Sequence, residues 1–198
     1  MANRYIGPQL KGTRVILRRP RLVDADALEP RVSDAAVVRW TTRIPHPYPK
    51  GGAARFIRSS WNLWNRGRGY VFSILADDEA CGVISLSNVS LEHSCGEVGF
   101  WLGRDHWGRG LMTEAVALIL RFSFQELGLY RVYASAFAAN AASCRVLEKN
   151  GFRREGTLRQ AVVRYDERQD FLLFGILRPE FEAASASPPS TAGVQPAR

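Results

Sequence analysis

The segment from Arg104 to Ala115 constrains the fold more than any other part of the sequence. Within it, Gly108 and Gly110 flank an arginine, after a strand-like run and before a helix-like run. Glycine permits a tight backbone turn and leaves the peptide N–H groups free of a neighbouring Cβ. The positive end of the following helix dipole lies at the same place. The segment therefore predicts a cradle for a phosphate or pyrophosphate, and hence a nucleotide-bearing ligand.

Two other phosphate-binding motifs do not fit this segment. The dinucleotide fingerprint places a third glycine where the chain has Thr113, and the Gly-Lys-Ser/Thr of a P-loop is absent. A Gly-x-Gly pattern is common by itself, so its weight comes from the order of the neighbouring elements. That order is strand, Gly-Arg-Gly, amphipathic helix, strand, Asn-x-x-Ser, helix and Gly-Phe.

Residue periodicity predicts a mixture of strands and helices. The predicted strands cover residues 15–18, 70–75, 81–90, 96–102, 131–136, 153–163 and 169–177. One predicted helix begins at Asp24, and three others cover residues 51–66, 111–127 and 140–150. This order predicts an α/β or α+β domain with a mixed sheet. We expect the domain at residues 13–180, between a flexible N-terminus at 1–12 and a disordered Ala/Ser/Pro-rich tail at 181–198.

Charge and cysteine content narrow the classes of function. The formal net charge is +8, which suits an anionic ligand or an acidic partner. The arginines are scattered, with no basic helix and no aromatic RNA-stacking motif, so a nucleic-acid-binding module is a weaker alternative. Three widely spaced cysteines without a CxxC pair argue against a disulfide framework and a zinc site. Without a secretory or membrane-spanning apolar run, we expect a cytoplasmic protein with no membrane partner.

Three blocks of sequence carry a resemblance to a known family. They are residues 97–102 (EVGFWL), residues 107–115 (WGRGLMTEA), and Asn140-Ala141-Ala142-Ser143 leading into residues 147–156 (LEKNGFRREG). Together they resemble the core of the GNAT superfamily of acetyl-CoA-dependent N-acetyltransferases. More narrowly, they are similar to the RimJ/RimL-like branch, the ribosomal-protein N-terminal acetyltransferases. The motifs are specific for the superfamily and much less specific for the acceptor.

The resemblance implies a fold and a cosubstrate. The implied fold is a seven-stranded mixed sheet, split between its fourth and fifth strands and flanked by about four helices, with acetyl-CoA in the split and no metal. The pantetheine pairs with residues 100–102, and the pyrophosphate binds the N–H groups of residues 107–112. Asp105 stands where the family carries Gln or Arg, so its carboxylate should point away from the anion. The predicted cofactor-binding residues are Phe100, Trp101, Leu102, Trp107, Gly108, Arg109, Gly110, Leu111, Met112, Thr113, Asn140, Ser143, Arg145 and Lys149.

Acetyl transfer needs a proton acceptor, donors for the oxyanion and a donor to the departing sulfur. Glu97, beside the implied split, is the candidate base, with a structural salt bridge as its alternative role. Ser143 is the candidate donor to the sulfur, because Leu147 replaces the tyrosine that usually serves as the acid. Asn140 holds the pantetheine, caps a helix, or does both. Val162 replaces a glutamate of the serine-acetylating relatives, which puts the base and acceptor preference of those relatives in doubt here.

We expect the acceptor to be a protein N-terminal α-amine, as on a ribosomal protein. An α-amine has a pKa of roughly 7.7–8.0 and needs little help to lose its proton, whereas a lysine, at about 10.4, needs strong help. A small amine such as an antibiotic or a polyamine is the alternative, with Asp34, Glu92 and Glu97 as its carboxylate contacts. A non-catalytic acetyl-CoA sensor is a further alternative. The oligomeric state stays open, with a homodimer as one candidate.

Aromatic residues are the candidates for an acceptor pocket. Trp61, Trp64 and Tyr70, with the proline-rich loop at 45–49, either build that pocket or pack on the sheet. Packing is favoured for the two tryptophans. His106, beside the Gly-Arg-Gly turn, is expected to face solvent.

Overall fold

An eight-stranded mixed sheet lies at the centre of the computed structural model, which describes residues 7–186. Its strands are β1 (Leu10–Lys11), β2 (Ile16–Arg18), β3 (Tyr70–Ala76), β4 (Glu79–Ser90), β5 (Cys95–Leu102), β6 (Arg131–Phe137), β7 (Arg153–Arg164) and β8 (Glu167–Leu177). Their spatial order is β1-β2-β3-β4-β5-β6-β8-β7. Neighbouring strands are antiparallel except β5 and β6, which are parallel.

Helices cover both faces of this sheet. They are α1 (Asp24–Ser33), α2 (Ala35–Val38), α3 (Gly52–Asn65), α4 (Leu111–Arg121), α5 (Ala141–Lys149) and α6 (Arg178–Ala186), with a π-helical turn (Phe122–Glu126) continuing α4. Successive side chains of a strand point to opposite faces, so each strand feeds two apolar clusters. Phe72 and Ile84 join the cluster that contains α4 and α5, whereas Val71 and Val83 pack with α1 and α3.

The α/β class is confirmed, and the strand count is eight rather than the expected seven. The additional strand is β1, which pairs Leu10 with Leu17 and Lys11 with Ile16 inside the segment expected to be loose. Two residues are too short to show a periodicity, so the sequence gives no signal for this strand. The other seven strands correspond to the seven predicted ones.

The described residues contain six α-helices rather than about four. The short α2 depends on Asp34, whose carboxylate accepts a hydrogen bond from the N–H of Ala36 at 2.8 Å and caps the helix. Helix α6 extends to Ala186, into the segment expected to be a disordered tail. The remainder of that tail, residues 187–198, and residues 1–6 of the expected flexible N-terminus lie outside the described residues.

The sheet splits where β5 leaves β6. These strands pair only from Cys95 to Glu97 on β5 and from Arg131 to Tyr133 on β6. From Val98 onward, β5 pairs only with β4 on its other side. This is the split expected between the fourth and fifth strands, and the added strand β1 makes it the gap between the fifth and the sixth.

A buried ion pair fixes α1 against the sheet. Asp24 is only 4% exposed, and its carboxylate accepts bidentate hydrogen bonds from Arg18 at 2.7 and 2.8 Å. The hydroxyl of Ser73 donates to the same carboxylate at 2.7 Å, and the N–H of Arg21 donates at 2.9 Å. Burial alone would raise the pKa of Asp24, but these hydrogen bonds outweigh burial and lower it.

We predict that Asp24→Asn lowers the free energy of unfolding at neutral pH by about 3 kcal/mol, because it leaves the Arg18 charge without its buried partner. A urea titration measures this change. Because the folded-state pKa of Asp24 is lowered, its contribution is fully present above about pH 4 and is lost as the pH falls through that pKa. The difference in free energy of unfolding between wild type and Asp24→Asn should therefore become smaller at acid pH. Asp26→Asn, in the same first turn but exposed, is the control; an equal loss in both variants would contradict the prediction.

Candidate functional site

The turn between β5 and α4 has the backbone conformation that its glycines predict. Gly108 and Gly110 have φ values of +73° and +74°, and α4 begins directly afterwards at Leu111. A side chain at either position would be strained, which explains why both are glycine. We call residues 107–110 the glycine loop. Trp107 closes its start, because its indole N–H donates to the carbonyl of Leu102 at 2.8 Å.

The glycine loop borders a cavity of about 330 Å³, the first cavity, between β5, α4 and α5. Every predicted cofactor-binding residue except Arg109 lines it; these are Phe100, Trp101, Leu102, Trp107, Gly108, Gly110, Leu111, Met112, Thr113, Asn140, Ser143, Arg145 and Lys149. The structure thus brings together residues from positions 100 to 149. Val37, Trp40 and Thr41 complete the wall from α2 and the segment after it.

Arg109 is the one predicted cofactor-binding residue that does not line the first cavity. Its guanidinium lies 3.2 Å from Nδ1 of His106 and 3.3 Å from the carboxylate of Asp77, so the side chain contributes to a surface charge network. Its backbone remains part of the glycine loop. The sequence cannot distinguish these roles, because Asp77 comes from the turn between β3 and β4.

The residues just before the glycine loop are held in place by a contact with α1. Arg31 donates to the carboxylate of Asp105 at 2.9 Å, and this hydrogen bond is the main reason why the pKa of Asp105 is lowered. Asp105 is held at Arg31 and is not one of the residues that line the first cavity, in keeping with its expected orientation. His106 was expected to face solvent, but it is buried and lines the cavity, with Nε2 3.2 Å from Asp105.

The outer side of the glycine loop is held by Arg14, which the sequence analysis did not single out. Its guanidinium donates to the carbonyl oxygen of Arg109 at 2.7 Å and lies 3.5 Å from that of Gly110. Its Nε and its backbone N–H bind both carboxylate oxygens of Glu114 at 3.1 and 2.8 Å. Burial raises the pKa of Glu114, but the hydrogen bonds from Arg14 outweigh burial, so the pKa is lowered. Arg14 therefore connects the strand region to the first turn of α4.

This contact orients the peptide groups of the loop. A trans peptide directs its carbonyl and its N–H in opposite directions. Since Arg14 binds the carbonyls of Arg109 and Gly110, the N–H groups of Gly110 and Leu111 point away from Arg14. Gly110 and Leu111 both line the first cavity, and Arg14 does not. The Arg14–Glu114 pair thus turns two backbone donors toward the space where an anion would lie.

The two polar residues at the start of α5 bind each other. Asn140 caps the helix by accepting from the N–H of Ser143 at 3.1 Å, and its amide NH₂ donates to the hydroxyl oxygen of Ser143 at 2.8 Å. A backbone N–H can only donate, which fixes the orientation of the Asn140 amide. Because Ser143 accepts from Asn140, its own hydroxyl proton is free to point into the cavity. Both roles foreseen for Asn140, capping and lining the pantetheine groove, are therefore compatible.

A second cavity, of about 260 Å³, joins the first. The two share six lining residues: Trp40, Thr41, Phe100, Trp101, Asn140 and Ser143. Glu97 and Arg43 are the only charged residues among the described ones that line the second cavity. The carboxylate of Glu97 accepts from the amide of Asn88 at 2.8 Å and forms no ion pair within residues 7–186. Glu97, Gly99 and Trp101 lie on one face of β5, as alternation predicts, because Val98, Phe100 and Leu102 pack into the opposite core.

The aromatic residues considered for an acceptor pocket lie away from the second cavity, and the two tryptophans pack on the sheet, the role favoured for them from the sequence. Trp64 packs on Tyr70 and Phe72 with ring centroids 4.9 and 5.1 Å away, and Trp61 donates its indole N–H to the carbonyl of Pro20. None of the predicted pocket residues, the loop at 45–49 included, lines the second cavity. Its aromatic walls come instead from Trp40, Phe56, Phe100, Trp101, Phe137 and Phe171.

The segment after α2 forms one wall of both cavities because it is held by a distant arginine. Arg164, at the end of β7, donates to the carbonyls of Val38 and Ile44, each at 3.0 Å. Residues 40 and 41 line both cavities, and residues 42–44 line the second. The sequence gives no signal for this contact, which joins residues more than a hundred positions apart.

Residues 7–186 contain no group of three or more His, Cys, Asp or Glu side chains placed to hold a metal ion. Over the same range, none of the helices is long and apolar enough to cross a membrane.

Comparison with known proteins gives the family. The family pattern described as an acetyltransferase (GNAT) domain matches residues 14–153, more than half of the sequence. The chain belongs to the GNAT acetyltransferase family. This GNAT protein is therefore an N-acetyltransferase, and acetyl-CoA is its acetyl donor. The resemblance stated from residues 97–156 is confirmed.

Some relatives of this GNAT acetyltransferase align with most of the chain, and others align with just over half of it. The "Uncharacterized N-acetyltransferase p20" of Bacillus licheniformis is 31% identical over 85% of this chain and 95% of its own. The "Ribosomal-protein-serine acetyltransferase" of Escherichia coli is 32% identical over 57% of this chain and 63% of its own. Among solved structures, Mycobacterium smegmatis RimJ in complex with CoA-disulfide is similar with a TM-score of 0.78 and 26% identity, over 91% of this chain and 94% of that one.

We predict that Arg14→Ala weakens acetyl-CoA binding about tenfold, or about 1.4 kcal/mol, because the loop carbonyls lose the group that orients them. Isothermal titration with acetyl-CoA measures the change. Acetylated pantetheine, which lacks the diphosphate, separates the causes: its turnover should be the same in variant and wild type. Arg21→Ala, an exposed neighbour, is the control. Equal losses with both thioesters would show that Arg14 acts on overall folding rather than on the loop.

Proposed function

We propose that this GNAT enzyme transfers the acetyl group of acetyl-CoA directly to the α-amine of a polypeptide N-terminus, in the manner of the ribosomal-protein acetyltransferases. The observation that carries the proposal is the charge content of the second cavity, where Glu97 is the only carboxylate among the described lining residues. An α-amine is partly neutral at physiological pH and needs one weak acceptor for its proton. A ribosomal protein is the proposed acceptor, and the cytoplasm, where such proteins are made, is the proposed location.

A small polycationic amine fits this cavity less well. Such an acceptor would be bound by several carboxylates, and Asp34, Glu92 and Glu97 are the candidates in the sequence. Asp34 instead caps α2, and Glu92 lies in the exposed turn between β4 and β5. Arg43, which also lines the cavity, would repel a second positive charge. These placements favour an acceptor with one amine.

The proposed roles follow from the positions around the two cavities. The amine nitrogen attacks the thioester carbonyl carbon, so that a C–N bond forms, the C–S bond breaks and coenzyme A leaves as the thiolate. Glu97 takes the proton of the amine, directly or through a water. Ser143, held by Asn140, donates its hydroxyl hydrogen bond to the departing sulfur. The N–H groups of β5 beyond Glu97, which have no β6 partner, are available to pair with the pantetheine and to stabilise the oxyanion.

Direct transfer is favoured over a covalent acyl-enzyme. Cys144 is the cysteine nearest to Ser143 in sequence, but its side chain is buried and does not line either cavity. Burial raises the pKa of the Cys144 thiol, so little of the nucleophilic thiolate is present at neutral pH. A ternary complex of donor, amine and enzyme therefore precedes the chemical step.

We predict that Glu97→Gln lowers kcat/KM at neutral pH by about a hundredfold, as expected for loss of a general base. The loss should shrink at higher pH, where the acceptor amine is neutral without help. A pH–rate profile with a peptide acceptor measures both effects, with Glu92→Gln as the control. A constant ratio of variant to wild-type kcat/KM across the profile would remove Glu97 from proton transfer.

Ser143→Ala should lower kcat/KM by less than Glu97→Gln does, because thiolate is already a good leaving group.

The acceptor is identified by a turnover screen with acetyl-CoA. The panel contains peptides with Ala, Ser, Met or Lys at the first position, the same peptides with a blocked α-amine, spermidine and an aminoglycoside. We expect acetylation of peptides with a small first residue, at the α-amine, by mass spectrometry of the fragments. Blocking the α-amine should abolish the reaction. Turnover of spermidine or the aminoglycoside alone would overturn the proposed acceptor while leaving the acetyltransferase activity intact.

A further inference from the structure

Much of the excess positive charge of the protein is concentrated around one helix. Residues 50–68, which include all of α3, contain five cations and no carboxylate, against a net charge of +8 for the whole chain. The five are Lys50, Arg55, Arg58, Arg66 and Arg68, and all are exposed. We call them the α3 cationic face. The arginines are scattered along the sequence as a whole, and what distinguishes this stretch is its lack of acidic residues.

The carboxylate at the start of α3 is that of Glu29, which accepts hydrogen bonds from the N–H groups of Gly51 and Ala53 and forms no ion pair with the cations of this face. None of the five forms an ion pair with another residue in the range 7–186. Arg55 bonds only the backbone carbonyl of Lys50, at 3.1 Å. By contrast, Arg18, Arg31 and Arg131 each bind a carboxylate within 3.0 Å. Like charges three or four residues apart on a helix destabilise it slightly, so this arrangement does not serve stability.

The helix that carries the α3 cationic face contributes one residue, Phe56, to the second cavity. Arg55, Arg58 and Arg66 follow one another at helical spacing along a single side of α3. Phe56, next to Arg55, lines the cavity and is 39% exposed, and Leu63 beside the same row is 43% exposed. Arg43, also without an ion pair among the described residues, lines the cavity itself. A chain that leaves the second cavity across the exposed side of α3 would meet these cations, although none of the five lines the cavity itself.

From this placement we propose that the α3 cationic face binds an acidic segment of the polypeptide acceptor, located after the residue that is acetylated. This inference rests on the proposed polypeptide acceptor and adds the charge of the acceptor to it. Complementary charge accelerates encounter and selects among partners, and its effect falls with ionic strength. An acidic polypeptide is favoured over RNA because Phe56, the one exposed aromatic side chain of α3, is already part of the cavity wall.

The experiment compares peptides that share their first residues and differ in an acidic, neutral or basic tail. Wild type is compared with the triple variant Arg55→Gln/Arg58→Gln/Arg66→Gln. The variant Arg121→Gln/Arg159→Gln/Arg168→Gln removes the same charge from other elements and is the matched control. We expect wild type to acetylate the acidic-tailed peptide with about tenfold higher kcat/KM than the neutral one at about 0.01 M ionic strength, and the gap to close toward about 0.15 M.

The triple variant should lose this preference and keep wild-type kcat/KM for the neutral peptide and wild-type affinity for acetyl-CoA. A preference that persists in the triple variant, or that disappears equally in the control, overturns the proposal. Fluorescence anisotropy with an N-acetylated acidic-tailed peptide gives a readout independent of turnover, and a lack of charge-dependent binding there also overturns it. Tighter binding of oligouridylate than of the acidic peptide, lost in the triple variant, would assign the face to nucleic acid. If no peptide is acetylated but the acidic one still binds α3, the proposed acceptor fails and the docking face stands.

Discussion

The early divergence of β5 from β6 is the constraint on which the rest of this structure depends. Parallel strands in a continuous sheet would pair along their whole length and leave no room between them. Here the pairing ends at Glu97, and the remaining residues of β5 keep hydrogen bonds on only one side. The unpaired edge provides backbone groups for an extended ligand, and the gap provides the two cavities.

The split alone does not make a site, because its walls come from distant parts of the chain. Arg14 holds the glycine loop, Arg31 holds the residues that precede it, and Arg164 holds the segment that closes the second cavity. Each arginine binds backbone carbonyls or a carboxylate across the sheet. A guanidinium suits this task, since it presents several donors in a fixed plane and is always charged. The glycine loop, the residues before it and the segment after α2 are therefore held in place by arginines that line neither cavity.

The sequence predicted what local chemistry determines. Gly108 and Gly110 predict a positive-φ turn, and Asn140 predicts a helix cap. Alternation places Glu97 on the side of β5 that faces the second cavity. Such patterns predicted the class of fold, and each is predictable because it depends on neighbours within a few residues. The resemblance to the GNAT superfamily predicted the cosubstrate and the residues around it, and thirteen of those fourteen residues line the first cavity.

What the sequence did not predict depends on contacts between distant residues. His106 is buried where Arg31, Asp105 and Arg109 contact it, and the contact with Arg31 joins residues 75 positions apart. The tryptophans of α3 pack on the sheet, as favoured from the sequence, and this packing leaves the opposite side of the helix, with its cations, at the surface. One amphipathic helix thus has two sides: its aromatic side stabilises the core, and its charged side lies at the surface. Stability requires only the first of these, so the charge on the second is best explained by what the enzyme binds.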